Sequence, residues 1–206
     1  MKTIIDQFEK LVPAFRDLLQ APTLELHLAP TWGSVNKESR ILLRHAVASE
    51  IDKLTKLTEI EREILLRLEF VPQPPLVSVS ISHTQTVGGF ALTRSQTPAV
   101  GFDIELSSRI RPKAVERVSS PEELSSAPSA SHLWVAKEAA FKSMRGAKQP
   151  AILSMLATNS WRSVTSYENL SLWSCQIHED SLPKASTRGL AVELSGIVLS
   201  IFLHQA

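Results

Sequence analysis

The sequence predicts an α+β protein with helices packed on antiparallel sheets. Two observations carry this. Helical periodicity over residues 36–57 gives way to strand-like alternation from residue 76, and the same order returns with a helix over 132–145 followed by further strands. The order helix, strands, helix, strands divides the chain near Thr97-Pro98 into an N-terminal lobe, 1–97, and a C-terminal lobe, 98–206. The element order suggests an internal duplication, although no residue-by-residue repeat accompanies it.

In residues 36–57, Ile41, Leu42, His45, Ala48 and Ile51–Leu54 recur at three- and four-residue spacing, and Asn36 or Ser39 is placed to cap the start. Residues 59–69 predict a second helix that ends before the proline-rich segment Val71–Pro75, an extended connector. LVSVSIS (76–82) alternates apolar and small polar residues, the mark of a strand with one buried face. VGGFALT (87–93) and AVGFDIE (99–105) are two more strands, joined by the turn-like RSQTP. Residues 107–131, rich in Ser, Pro and Arg, predict a loop with at most one short helix. HLWVAKEAAFKSMR (132–145) carries an apolar stripe of Leu133, Ala136, Ala140 and Phe141, with Gly146 as its terminator. SLWSCQIHE (171–179), GLAVELS (189–195) and IVLSIFL (197–203) are strands, the last two closing a hairpin at Ser195-Gly196.

With 206 residues, 43% hydrophobic and 21% charged, the chain has the composition of a globular protein with a real core. A formal net charge of +1 offers no global field for nucleic acid or an anionic membrane. The single cysteine, Cys175, excludes an intrachain disulfide and reads as a small buried residue. Asp6, Glu9 and Lys10 interrupt the start, so no signal peptide is expected there, and no apolar run approaches the ~18 residues of a membrane span. A cytoplasmic location is the expectation.

Three segments carry chemistry. In Gly101-Phe102-Asp103-Ile104-Glu105, the two carboxylates lie two apart and project from one strand face, while Phe102 and Ile104 enter the core. Paired carboxylates repel unless a positive group sits between them, and a hard divalent cation suits their oxygens. Taken alone they read first as solvent-facing strand residues. Glu138 and Lys142 share a helix face four apart, either as a surface ion pair or as a third metal ligand beside a phosphate-neutralising lysine. His83, at a strand end, either donates to a phosphate oxygen or satisfies local backbone. The other histidines, at 27, 45, 132, 178 and 204, are scattered without ligand spacing, and no second acidic cluster or glycine-rich phosphate loop accompanies them. A two-metal phosphoester hydrolase is disfavoured accordingly.

Together, Ser-His-Thr at 82–84, Gly-Phe-Asp-Ile-Glu at 101–105 and Trp-x-x-Lys-Glu-Ala-x-x-Lys at 134–142 resemble the 4′-phosphopantetheinyl transferases. The likeness is to the monomeric, two-lobed type that activates peptide and polyketide synthetases, and it spans roughly residues 36–145. It implies two pseudo-twofold-related α/β lobes with coenzyme A in the cleft between them. It also implies transfer of the phosphopantetheine arm to a serine of an apo acyl or peptidyl carrier protein, releasing 3′,5′-ADP. By this resemblance Asp103, Glu105 and Glu138 match the metal ligands, for magnesium or alternatively manganese, and Lys142 matches the catalytic lysine. His83 matches the histidine near the coenzyme A phosphates, and Arg40 the arginine that meets the 3′-phosphate. The serine proton goes either to Glu138 or to a metal-bound water. The chain departs from the pattern at Val135, where the family usually has Ser, Thr or Cys, and in FVPQPPL (70–76), which replaces a Gly-Lys-Pro stretch. The alternative is a non-catalytic module of the same fold that binds coenzyme A or a carrier protein.

Overall fold

The computed structural model of the protein describes residues 2–33, 36–56, 58–59, 63, 77–94, 99–144, 150–167, 170–178 and 186–205. The chain order is α1 (Lys2–Leu19), β1 (Glu25–Ala29), α2 (Lys37–Thr55), β2 (Ser78–His83), β3 (Gly88–Thr93), β4 (Ala99–Leu106) and α3 (Pro112–Val118). There follow α4 (Pro121–Ser126), α5 (Ala130–Ser143), β5 (Ala157–Tyr167), β6 (Leu170–His178), β7 (Ser186–Leu194) and β8 (Ile197–Gln205). The strands form two antiparallel sheets, β1-β3-β2 and β4-β8-β7-β6-β5, so the α+β class holds.

Most predicted elements recur. Asn36 is the cap of α2, its side chain accepting from the Ser39 N–H at 2.8 Å. The β7–β8 turn lies at Ser195-Gly196, both with positive φ (50° and 82°), a conformation glycine adopts without strain. Where one short helix was expected in 107–131 there are two. The second is locked by a capping box in which Ser120 and Glu123 exchange side-chain and backbone hydrogen bonds. α5 begins at Ala130, two residues earlier than predicted, because the Ser129 side chain accepts from the His132 N–H. The helix expected over 59–69 falls almost entirely outside the described residues, as do the 71–75 connector, most of the 94–98 turn and Gly146.

α1, β1 and β5 have no counterpart among the predicted elements. α1 buries Phe8, Leu11, Phe15 and Leu19 in the largest core cluster, beside Leu172, Leu190 and Val192 of the five-stranded sheet. That cluster draws on residues from both sides of the boundary expected at 97/98. α2 packs Leu43, Val47 and Ile51 on Val79, Phe90 and Leu92 of the smaller sheet.

The alternation in 76–82 predicted one buried face, but Ser78, Ser80 and Ser82 are buried as well. These serines join the two sheets. Their hydroxyls accept from the N–H groups of Val100, Phe102 and Ile104 on β4, at 2.9, 2.9 and 3.4 Å. Alternate side chains of β2 thus do for the edge of β4 what a neighbouring strand's carbonyls would. Ser80→Ala leaves the buried Phe102 N–H without its acceptor, and should cost about 1–3 kcal/mol by chemical denaturation.

Candidate functional site

Two of the elements packed against β4 contribute to one polar cluster. On one side β2 delivers Ser82 through the serine seam. On the other, α5 lies directly on β4 at Gly101, where an added Cβ would overlap the Ala139 carbonyl oxygen and come within 2.5 Å of the Ser143 nitrogen. Only glycine permits this approach, and it brings Lys142 over Asp103. Lys142 Nζ sits 2.6 Å from Asp103 Oδ1 and donates to Ser82 Oγ at 3.3 Å, while Ser82 Oγ donates to the same Asp103 oxygen at 2.8 Å.

Asp103 is therefore not a solvent-facing strand residue. It is 3% exposed, and its Oδ2 is buried with no hydrogen-bond partner among the described residues. Glu105, half-buried at the end of β4, is pushed above the usual carboxylate range, first by burial and next by the Asp103 charge. Glu138 adds to this, while Lys142 and Arg109 oppose it. The three predicted acids therefore share one electrostatic neighbourhood. They do not form a group whose nearest oxygens all lie within 4.8 Å of one another; the partner seated on Asp103 is the Lys142 ammonium. The donor set is all oxygen, and the unpartnered Oδ2 of Asp103 suits a hard divalent cation such as magnesium.

This crowding predicts a measurable strain. With its folded pKa raised, Glu105 favours the fold at low pH, and that contribution disappears as pH rises through the folded value. In metal-free buffer Glu105→Gln should therefore raise the melting temperature at pH 7 and change it less at pH 4. A lowered melting temperature at pH 7 would contradict the account.

His83 closes β2, where the following turn is fixed by Thr84, whose hydroxyl accepts from the Thr86 and Val87 N–H groups at 3.1 Å. Burial chiefly lowers the His83 pKa, and Arg40, Lys142 and Arg44 lower it further. His83 thus stands among three cations, an arrangement that favours an anion. Arg40 and Arg44 are four apart on α2 and share a face. The Arg40-x-x-x-Arg44 spacing could have revealed the second arginine, which sequence reasoning missed. Arg109 was missed too; with Arg111, Trp134 and Glu105 it lines a recess of about 210 Å³ beside the acids. Cys175 is buried, and burial pushes its thiol far up, leaving no nucleophile there.

Compared with protein-family models and with curated proteins, the chain matches none. Among the described residues no helix is long and apolar enough to cross a membrane.

Proposed function

We propose that the protein is a magnesium-dependent 4′-phosphopantetheinyl transferase of the monomeric, two-lobed type. The observation that carries this reading is the meeting of three sequence segments. Lys142 of α5 reaches Asp103 of β4 at 2.6 Å with Ser82 and His83 of β2 alongside, and Glu105 and Glu138 are near enough to feel one another's charge. The motifs that resemble the family thus cluster at one place rather than scattering over the surface.

On this reading Asp103, Glu105 and Glu138 would hold magnesium, which when bound offsets negative charge on the pyrophosphate of coenzyme A. The carrier serine oxygen forms a bond to the β-phosphorus, the bond from that phosphorus to the bridging oxygen breaks, and 3′,5′-ADP leaves. Glu138 is the candidate to take the serine proton. Lys142 exchanges its contact with Asp103 for one with the transferring phosphoryl oxygens. Arg40 and Arg44 supply positive charge and His83 a neutral donor for phosphate groups, so His83→Ala should mainly raise the KM for coenzyme A; a large fall in kcat alone would reassign it.

The test is to incubate the protein with apo acyl and apo peptidyl carrier proteins, coenzyme A and magnesium, and to read intact mass. A carrier that gains the mass of phosphopantetheine supports the transferase. The closed contact between Lys142 and Asp103 favours one rival, a binding module of the same fold. For that rival coenzyme A binds, and no carrier gains mass.

A further inference from the structure

We propose that Glu25, His27 and Glu50 form a second metal site, one that takes a divalent first-row transition ion such as zinc. Read from the sequence, His27 belongs to no cluster, and the fold overturns this. Glu25 and His27 are two apart on β1 and share its face, and α2 lays Glu50 over them, so that one ligand atom from each lies within 4.8 Å of the others. Zinc bonds of about 2.1 Å at tetrahedral angles need ligand atoms about 3.4 Å apart, a side-chain adjustment rather than a rearrangement.

The histidine itself points to a ligand. Its ring is held by stacking on Phe90 with centroids 4.6 Å apart, so its direction is set by the core of the smaller sheet. The side chain is 35% exposed, yet Nε2 is sealed from solvent and has no hydrogen-bond partner among the described residues. It faces the Glu25 carboxylate at 3.8 Å, too far for a hydrogen bond. A buried ring nitrogen left unpaired costs free energy that coordination would remove.

The cations now beside the acids are weak competitors. Lys53 lies 2.6 Å from Glu50 and Arg94 3.5 Å from Glu25, but their side chains are 63% and 59% exposed, and such ion pairs contribute little. The imidazole selects the ion class. One nitrogen and two carboxylates suit zinc, cobalt or manganese, whereas the all-oxygen set at Asp103, Glu105 and Glu138 suits magnesium. Three protein ligands also leave coordination positions open to water or a further ligand.

Zinc chloride titrated calorimetrically into the metal-stripped full chain, with millimolar magnesium present, tests this. The expected result is one zinc equivalent, unchanged in Glu105→Gln, and weakened at least the ~10-fold that even outer partners of a metal site cost in His27→Ala and in Glu50→Gln. Glu50→Gln keeps the size of a half-buried helix residue, so it reports on binding even where loss of the His27 ring disturbs the core. No zinc binding below millimolar concentration, or binding untouched by Glu50→Gln, would overturn the proposal.

Discussion

On the proposed transferase function, Asp103→Ala is expected to lower phosphopantetheine transfer by about 100-fold or more, the scale of losing a group that acts on the transition state rather than on ground-state binding. The expectation rests on position. Asp103 receives both the Ser82 hydroxyl and the Lys142 ammonium on Oδ1 and keeps Oδ2 buried and unpartnered among the described residues. Removing the carboxylate leaves Lys142 without its buried counter-charge and takes one of three acids from the proposed magnesium set. Asp103→Asn separates charge from shape, since it retains the volume and an acceptor for Ser82. If charge is what matters, it too loses activity, while its circular dichroism stays that of the parent. Calorimetry supplies a second readout: coenzyme A binding should respond to magnesium in the parent and cease to do so in Asp103→Asn and Glu138→Ala. Parent-like turnover in Asp103→Asn would end the assignment.

Glu123→Ala is expected to cost about 3–5 kcal/mol of stability, the range for breaking a buried ion pair from one side. Lys137 is fully buried, its Nζ 2.9 Å from the Glu123 carboxylate and also bonded to the Val118 carbonyl. The same carboxylate accepts from Thr158 N at 2.7 Å and Thr158 Oγ1 at 2.9 Å, tying α4 and α5 to β5. Burial is the largest influence on Glu123 and acts upward, but donors from Thr158, Lys137 and Ser120 together hold its carboxyl below the usual range. The unfolded chain therefore binds the proton more readily. The stabilisation is complete above the unfolded carboxylate value, about 4.3, and is lost as pH falls through the folded one. Urea melts from pH 7 to 3 should show this slope in the parent and a flatter one in Glu123→Gln. Replacing both partners with apolar residues of similar size should recover part of the loss, because no lone charge is then left buried, although the Thr158 donors still lose their acceptor. A single variant as stable as the parent would contradict the account.

The two halves of the problem were unequally legible. Elements with clean periods were readable: α2, α5 and the strands through Asp103 and the C-terminal hairpin appear where the alternation placed them. β5 was not, because bulges between Asn159 and Arg162 and between Ser163 and Thr165 break its two-residue period. β1 has only five residues and closes with prolines on either side, at 22 and 30. α1 carries Pro13 within its stripe, and Asp6, Glu9 and Lys10 are interspersed among its apolar positions, which masks the helical period. The Ser-x-x-Glu box that begins α4 was present at Ser120 and Glu123, but sat in a segment whose composition reads as loop.

By itself the sequence determined which residue types lie together on each element: two acids on one strand face, a glutamate and a lysine on one helix face, a histidine at a strand end. Those facts follow from the local periods of two and 3.6 residues, which need no knowledge of the rest of the chain. Only the tertiary structure decided that Asp103 is buried, that Ser82 and Lys142 share one of its oxygens, and that Glu50 crosses over His27. Such juxtapositions join residues 21 to 60 positions apart, and depend on a serine seam and a glycine contact whose partners no local pattern can name.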